Sequence, residues 1–195
     1  LFIVNSLGDV VVEGAGDGTD EVRSTIGVAL GTEVENLALQ GVTDIDGAGN
    51  EFANRITGNA GVNVLTGLAG NDSLAGLGGN DVLEGGTGDD WIAGGLDNDH
   101  MTGGAGFDAL YGEAGNDQLQ GGAEDDTLDG GEGDDLLFGE AGADYLYGGL
   151  GADQLVGGAE ADYLDGEDGD DKLWGEAGAD ELHGGLGFDQ LAGGE

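Results

Sequence analysis

The sequence lacks cysteine and proline, and it carries almost no positive charge. Its 195 residues include no Cys, no Pro and 42 acidic residues, which gives a formal net charge of −39. Without cysteine, disulfides, thiolate metal sites and cysteine nucleophiles are excluded. The basic residues are only Arg23, Arg55 and Lys172. Because binding to a phosphate backbone requires a basic patch, we expect no nucleic-acid partner.

Long apolar runs are absent as well. No stretch of roughly 18 apolar residues is present, so we expect no membrane span. The first residues, Leu1-Phe2-Ile3-Val4, show neither an initiator methionine nor a signal-peptide pattern. We therefore expect this chain to be a segment of a longer protein.

The composition alone favours disorder. A charge of −39 together with 47 glycines opposes compaction by self-repulsion, as in a solvated acidic tail. The order of the residues decides the question, because a disordered tail has no reason to keep a fixed register.

Glycine recurs every nine residues from Gly58 to Gly193 without interruption. Counted from each such glycine as position one, position six is aspartate fourteen times in succession, at Asp72, Asp81, Asp90, Asp99, Asp108, Asp117, Asp126, Asp135, Asp144, Asp153, Asp162, Asp171, Asp180 and Asp189. Position eight is apolar in every unit from Leu65 to Leu191. Position four is glycine except at Asp97, Glu124 and Glu160. This register excludes a disordered tail and indicates a repeat architecture.

The complete unit Gly85-Gly86-Thr87-Gly88-Asp89-Asp90-Trp91-Ile92-Ala93 resembles the RTX (hemolysin-type) calcium-binding nonapeptide repeat of secreted bacterial proteins. The resemblance covers residues 58–195. It implies an all-β fold, a right-handed parallel β-roll (solenoid) in which each nonamer forms a six-residue turn and a three-residue strand. Two nonamers then complete one coil, and Ca²⁺ is held between stacked turns.

The residue types support the same chemistry. Glycines at positions one, two and four permit positive φ and a close approach of turn carbonyls, and each Asp adds a hard carboxylate. Oxygen-only ligation suits Ca²⁺, so we expect the fourteen Asp to bind it. The carbonyl ligands would come from turn glycines such as Gly85, Gly86, Gly88, Gly103, Gly104, Gly106, Gly130, Gly131, Gly133, Gly148, Gly149 and Gly151. One inward apolar residue per nonamer makes a thin core, so the metal must contribute folding free energy.

If successive nonamers alternate between two sheets, residues 18 apart become neighbours at roughly 4.8 Å. The aspartates then form two ladders, one from Asp72 to Asp180 and one from Asp81 to Asp189. Each ladder of seven has six gaps, so up to about twelve ions fit, and they would reduce the charge from −39 to −15. Without metal, the stacked carboxylates repel one another, and we expect the chain to be unfolded.

The N-terminal third departs from this pattern. Residues 49–57 and 58–66 are degenerate repeats with Asn54 and Asn63 at position six, which attract Ca²⁺ weakly but can form a hydrogen-bonded ladder. We predict three segments: an N-terminal β cap at 1–48, Asn-containing repeats at 49–66 that continue the roll without metal, and a calcium-binding roll at 67–195. Short β-type runs are predicted at 2–4, 9–13, 21–30 and 34–40, where the cap covers the open sheet end.

Aromatic residues occupy strand positions seven and nine, which should point outward. One sheet should carry Trp91, Tyr111, Tyr145, Tyr147 and Tyr163, and the other Phe138, Val156 and Trp174. The four tyrosines are a possible docking face for a polysaccharide or a neighbouring domain. Cross-strand packing on a glycine-rich sheet is the simpler interpretation, and we favour it. His100 and His183 also fall at outward positions and are expected to be surface residues without zinc.

The expected function is a calcium-binding module that folds on meeting Ca²⁺. The resemblance implies type I secretion and a role as a stabilising or spacer domain of a larger extracellular bacterial protein. Two alternatives stay open: an accessory module of a secreted protease, lipase or polysaccharide epimerase, and a glycan- or surface-binding adhesin module. No catalytic residue is predicted, so we expect this chain itself not to be an enzyme. The acidic residues at position four leave the geometry of their own ion sites open, as either weaker sites or sites with an added ligand.

Overall fold

The structure is a computed structural model that describes residues 1–14 and 18–194. Residues 15–17 of the predicted cap and residue 195 of the predicted roll lie outside the described residues. Within the described part, no helix has the length and apolarity needed to cross a bilayer.

The described residues form 21 β-strands. The short N-terminal strands are β1 (Phe2–Val4), β2 (Glu21–Ser24), β3 (Val28–Ala29), β4 (Asn36–Leu39), β5 (Gly47–Ala48) and β6 (Arg55–Thr57). The regular strands are β7 (Val64–Ala69), β8 (Ser73–Gly78), β9 (Val82–Thr87), β10 (Trp91–Leu96), β11 (His100–Ala105), β12 (Ala109–Ala114), β13 (Gln118–Ala123), β14 (Thr127–Glu132), β15 (Leu136–Ala141), β16 (Tyr145–Leu150), β17 (Gln154–Ala159), β18 (Tyr163–Asp168) and β19 (Lys172–Ala177). The last two are β20 (Glu181–His183) and β21 (Gln190–Ala192).

From β2 onwards, successive strands alternate between two parallel sheets, and β1 pairs with β2 in the first of them. One sheet has the order β1-β2-β4-β6-β8-β10-β12-β14-β16-β18-β20, and the other runs from β3 through the odd-numbered strands to β21. Within each sheet the repeat strands pair in a register of 18 residues, for example Ile92 with Leu110 and Leu83 with Met101. The prediction of a parallel β-roll with two nonamers per coil is confirmed.

The core is a single row of apolar side chains from each sheet. Position eight is fully buried in every repeat from Leu65 to Leu173, whereas positions seven and nine on either side face outward or are half-buried, except for the buried Ala93. In the N-terminal segment, β4 buries two apolar side chains, Leu37 and Leu39. The repeat region therefore has the thin interior that its pattern indicates.

The strands are longer than the resemblance implies. From β7 to β19 each has six residues and covers positions seven to nine and one to three of the next unit. Coils of equal length stack with all equivalent positions adjacent, so the main chain pairs beyond the predicted three residues. In β10, for example, Gly95 pairs with Glu113 while Gly94 is skipped.

The N-terminal segment is part of the same roll. Strands β1, β2, β4 and β6 pair in parallel within one sheet, with Val22 opposite Leu37 and Leu37 opposite Ile56. The predicted run 9–13 forms no strand, and the run 21–30 is divided into β2 and β3. This division follows from Ser24, whose hydroxyl donates to the carbonyl of Ile26 at 2.6 Å and turns the chain there.

Candidate metal centre

The structure places the predicted aspartates in two continuous ladders. The twelve from Asp72 to Asp171 are at most 3% exposed, and Asp180 and Asp189 in the last coils are half-buried. They come together because each aspartate ends a turn of fixed length and is followed by the first, outward-facing residue of a strand. Buried carboxylates are rare unless they are paired with a charge or a metal, so these ladders require compensation.

One oxygen of each ladder carboxylate is satisfied by the main chain. The N–H of Asp90 donates to Oδ1 of Asp108 at 2.8 Å, and the N–H of Asp99 donates to Oδ1 of Asp117 at 2.7 Å. The same bond, spanning 18 residues, recurs along both ladders to Asp189. Each aspartate is thereby fixed in orientation by the coil that precedes it.

The second oxygen has no hydrogen-bond partner. Among the described residues, this holds for buried Oδ2 atoms in thirteen ladder aspartates, namely Asp72, Asp81, Asp90, Asp99, Asp108, Asp117, Asp126, Asp135, Asp144, Asp153, Asp162, Asp171 and Asp180. Leaving a buried acceptor unpaired costs about 1–3 kcal/mol, and more when it is charged. Thirteen such atoms, repeated regularly along two ladders, indicate that a cation belongs beside them.

At many rungs of the ladders, a carbonyl oxygen of the next coil borders the same space as the unpaired Oδ2. A Cβ added to Gly85 would collide with Oδ2 of Asp90 and lie 2.7 Å from the carbonyl oxygen of Gly103, in the next coil of the same sheet. The two oxygens therefore border one small space that only a glycine at position one leaves open. The position-one glycines from Gly67 to Gly184 are needed for this space and not for positive φ, which corrects the sequence-based expectation.

Most residues at positions two and four adopt positive φ. Gly86 has φ of 117° and Gly88 has φ of 118°. Their carbonyl oxygens point along the stack to Gly104 and Gly106, where an added Cβ would collide with them. Main-chain oxygens from positions one, two and four thus line the gap between stacked turns, as the sequence predicts.

The side chains alone do not complete an ion site. Within residues 1–14 and 18–194, no three His, Asp or Glu side chains converge on one point. A cation in the ladder would therefore take most of its ligands from carbonyl oxygens. Such a mixed oxygen set fits Ca²⁺, which accepts six to eight oxygen ligands in flexible geometry.

The ladder strongly perturbs proton affinity. Burial raises the pKa of Asp99, Asp108 and Asp135 to about 7 and that of Asp126 to about 8, from an ordinary value of 3.8. The hydrogen bond from the main-chain N–H opposes this rise, and neighbouring carboxylates add to it. These four buried carboxylates therefore bind protons more tightly than exposed ones do when no other positive charge lies beside them.

The position-four acids keep the turn intact. Asp97, Glu124 and Glu160 adopt φ of 73° to 75°, the same region as the glycines that they replace. The carboxylate of Glu124 accepts from the N–H of Gly106 at 3.0 Å, and that of Glu160 accepts from Gly142 at 3.2 Å. Their side chains thus brace the preceding coil from the exposed side of the turn.

Several hydrogen-bonding residues were not predicted. At position five, Asp89 accepts from the N–H of Phe107 in the following coil at 3.1 Å, opposite in direction to the position-six ladder. At position two of the degenerate repeats, Asn50 and Asn59 are buried and fully bonded. In the sequence, the recurrence of asparagine nine residues apart, at Asn50 and Asn59, could have indicated these buried hydrogen bonds.

The aromatic residues lie on the faces that the sequence predicts. Trp91 and Tyr111 have ring centroids 5.8 Å apart, and Tyr163 lies 6.0 Å from Tyr145 and 5.9 Å from Tyr147 on the same sheet. On the other sheet, Phe138, Val156 and Trp174 pair in consecutive strands. The rings contact one another across strands, as the packing interpretation requires.

The two histidines lie on different sheets. His100 is in β11, whereas His183 is in β20, with its Nε2 2.8 Å from the carboxylate of Glu181 and its ring 5.3 Å from Tyr163. The structure therefore does not bring the two together.

A family model described as the RTX calcium-binding nonapeptide repeat, in four copies, matches the chain repeatedly. The matches cover residues 48–83, 75–110, 94–128, 102–137, 120–155 and 156–191. They extend over the asparagine-containing repeats as well as the aspartate ladder. No curated protein sequence matches the chain.

Proposed function

Since this chain belongs to the RTX calcium-binding nonapeptide repeat family, we propose that its aspartate ladders bind Ca²⁺ and that the repeat region folds when they do. The ligands would be the Oδ2 atoms of the fourteen ladder aspartates, together with carbonyl oxygens of turn positions one, two and four. The number of ions would be up to about twelve, one for each gap between stacked turns.

The observation that carries the proposal is the set of thirteen buried Oδ2 atoms in the two ladders, which have no hydrogen-bond partners in the described residues. A cation supplies the missing partner for each of them and for the carbonyls alongside. Bound Ca²⁺ also neutralises the repulsion among carboxylates 18 residues apart, which the leucine rows cannot offset. Binding free energy thereby becomes folding free energy.

Calcium-dependent folding suggests the biological setting. We propose that the chain leaves a bacterial cell unfolded through a type I secretion machine and folds in millimolar Ca²⁺ outside. It would serve there as a stabilising or spacer domain of a larger extracellular protein. The regular 18-residue coil supports this role, because a solenoid adds length without needing a larger core.

Circular dichroism tests the folding proposal. In EDTA the far-ultraviolet spectrum should lose most of its β signal, and Ca²⁺ at millimolar level should restore it cooperatively. Mg²⁺ at the same concentration should act poorly, because it demands tighter octahedral geometry and retains its water. An EDTA spectrum identical to the Ca²⁺ spectrum would overturn the proposal.

A second candidate function is the binding of a neutral polysaccharide along one sheet. Tyr145, Tyr147 and Tyr163 form a contiguous group of rings, and Tyr145 is 52% exposed. Strands β14, β18 and β20 carry acidic residues, and neither they nor β16 carry Lys or Arg, so the face repels an anionic glycan. Aromatic faces with polar tips suit uncharged sugars.

Affinity electrophoresis in gels containing a neutral polysaccharide tests this second candidate. The Ca²⁺-loaded chain should be retarded, and changing Tyr145, Tyr147 and Tyr163 to Ser should abolish the retardation. The matched control changes Phe138 and Trp174 to Ser on the other sheet. Equal migration of all three proteins would exclude glycan docking at this face.

A further inference from the structure

Four asparagines occupy the turns that precede the aspartate ladder. They are Asn50 and Asn54 in one repeat and Asn59 and Asn63 in the next, and each is at most 7% exposed. In contrast to the aspartates, their buried polar groups are hydrogen-bonded. These two turns therefore lack the unpaired oxygen that calls for a cation elsewhere in the roll.

In the first turn, both asparagine amides bond to the preceding coil. The Nδ2 of Asn54 donates to the carbonyl of Val34 at 3.2 Å, and the Nδ2 of Asn50 donates to the carbonyls of Gly31 and Val34 at 2.8 Å each. The Oδ1 of Asn54 accepts from the N–H of Asn50 at 2.7 Å. Side-chain amides thus connect one turn to the turn stacked beneath it.

The second turn repeats the arrangement on the other sheet. The Nδ2 of Asn63 donates to the carbonyl of Ile45 at 2.7 Å, and the Nδ2 of Asn59 donates to the carbonyl of Thr43 at 3.1 Å. The Oδ1 of Asn63 accepts from the N–H of Asn59 at 2.8 Å. The asparagines of two separate turns therefore make equivalent hydrogen bonds to the coil that precedes them.

The amide oxygen takes the place of the unpaired carboxylate oxygen. The Oδ1 of Asn54 lies beside Gly49, whose added Cβ would be 2.5 Å from the carbonyl of Gly67. In the next coil of that sheet, Oδ2 of Asp72 lies beside Gly67, whose added Cβ would be 2.6 Å from the carbonyl of Gly85. The surroundings match, but only the amide brings its own donors.

We propose that these four asparagines replace calcium in their turns, so that the N-terminal coils through residue 66 fold without metal and form the base on which the calcium coils assemble. This inference rests on the proposed calcium-dependent folding of the ladder. An amide supplies hydrogen-bond donors where a carboxylate needs a cation, and it adds no charge. The result is one solenoid with a metal-independent beginning and a metal-dependent remainder.

Charge and core support this division. Residues 1–66 contain ten acidic and two basic residues, whereas residues 67–195 contain 32 acidic residues and one basic residue. The N-terminal coils also bury Val22, Val34, Leu37 and Leu39 in addition to Ile56. They therefore have weaker charge repulsion and a larger core per coil. In the aspartate-containing coils, bound Ca²⁺ offsets the stronger charge repulsion and the smaller core.

The junction between the two parts is directly bonded. The N–H of Asn54 donates to Oδ1 of Asp72 at 2.6 Å, and the N–H of Asn63 donates to Oδ1 of Asp81 at 2.7 Å. These are the first aspartates of the two ladders. A folded base therefore positions both first rungs before Ca²⁺ arrives, so assembly proceeds from the N-terminal side.

Hydrogen–deuterium exchange on the full chain in EDTA and in Ca²⁺ tests the inference. In EDTA, amides of strands β4 and β6 should exchange at least about tenfold more slowly than the unfolded-chain rate, while strands β8 to β19 exchange freely. In Ca²⁺ both parts should be protected. Rapid exchange of β4 and β6 in EDTA, with full protection in Ca²⁺, would overturn the inference and leave calcium-dependent folding standing. Protection of β8 to β19 in EDTA would instead overturn the proposed function.

A pair of double variants tests the asparagines themselves. Changing Asn54 and Asn63 to Asp should remove the EDTA-resistant protection of β4 and β6, and Ca²⁺ should restore it. The control changes Asn71 and Asn80, which are exposed at position five of the next two repeats, to Asp and adds the same charge. It should leave the EDTA protection unchanged. Equal protection in both double variants would contradict a special role for Asn54 and Asn63.

Discussion

The main-chain N–H of Asp108 donates to Oδ1 of Asp126 at 2.8 Å, while Oδ2 of Asp126 has no partner in the described residues. One carboxylate is thus held by its neighbour through one oxygen and presents the other to the gap between turns. The hydrogen bond fixes geometry, and the free oxygen sets the demand for a cation. Because this arrangement of one bonded and one free oxygen repeats along both ladders, the fold depends on metal.

Ladder and exposed aspartates should differ sharply in their effect. Asp126 is buried in the ladder, whereas its neighbour Asp125 is exposed and bonds only to the N–H of Ala143. Asp126→Asn should raise the Ca²⁺ concentration at the folding midpoint and reduce stability by about 1–3 kcal/mol, because a charged ligand oxygen is lost. Asp125→Asn removes the same charge and should change little. A Ca²⁺ titration followed by circular dichroism compares them, and equal midpoints would contradict the account.

Position-one glycines should be intolerant only where a coil is stacked above them. In Gly85→Ala the new Cβ meets Oδ2 of Asp90 and lies 2.7 Å from the carbonyl of Gly103. We expect a loss of about 1–3 kcal/mol in the Ca²⁺-loaded state, as for other overpacked sites. Gly193 has the same repeat position, but nothing lies within 4 Å of an added Cβ. Urea denaturation of Gly193→Ala should match the wild type, and similar losses in both variants would refute this reading of the space.

Acid should stabilise the calcium-free roll. Burial raises the pKa of ladder aspartates such as Asp99 and Asp126 in the folded chain to between about 7 and about 8, above the ordinary value of 3.8. Folded carboxylates therefore bind protons more tightly than unfolded ones. The resulting stabilisation is complete below about pH 4 and is lost as pH rises through the folded values.

Circular dichroism in EDTA checks the sign of this effect. The β signal should increase as pH falls from 8 to 5, because protons partly replace Ca²⁺. The Ca²⁺ concentration at the folding midpoint should fall over the same range, since protons stabilise the folded chain while the carboxylates of the unfolded chain stay ionised. A β signal in EDTA that is independent of pH, or that falls on acidification, would disprove the prediction.

The leucine rows should contribute beside the metal. Leu128 is fully buried, whereas Leu150 is 52% exposed on the turn side of β16. Leu128→Ala should reduce the free energy of unfolding in Ca²⁺ by about 2–5 kcal/mol through the cavity it leaves. Leu150→Ala should remain within about 0.5 kcal/mol of the wild type. Thermal unfolding in saturating Ca²⁺ compares the two variants. A Leu128→Ala variant as stable as the wild type would show that the leucine core does not contribute to stability.

The nine-residue period was sufficient to predict the sheets and the ladders. A fixed Gly-to-Asp spacing places Asp90 and Asp108 in register whatever the remaining residues are, so the pattern determines the coil. It does not determine how far the main chain pairs, and the six-residue strands such as β10 were missed for that reason. The pattern also did not predict that Asp89 and Asp90 bond to the next coil in opposite directions, with Asp89 accepting a hydrogen bond and the N–H of Asp90 donating one. The direction of a hydrogen bond between coils does not depend on the spacing of the residues.

The N-terminal segment was harder to predict for a related reason. One row of the core contains Val22, Leu37 and Ile56. The intervals between these residues in the sequence differ, so no fixed period indicates that they belong to the same roll. Their pairing depends on contacts that form only once the coils are stacked. In the structure, the strands of the predicted cap segment, residues 1–48, form irregular coils within the same two sheets.

Crystals grown in millimolar Ca²⁺ and measured for anomalous scattering test the central claim most directly. The account predicts a row of anomalous peaks along each ladder, each about 2.3–2.6 Å from an aspartate Oδ2 and from carbonyl oxygens of the flanking turns. Ladder aspartates without neighbouring peaks, with Oδ2 facing solvent, would contradict it.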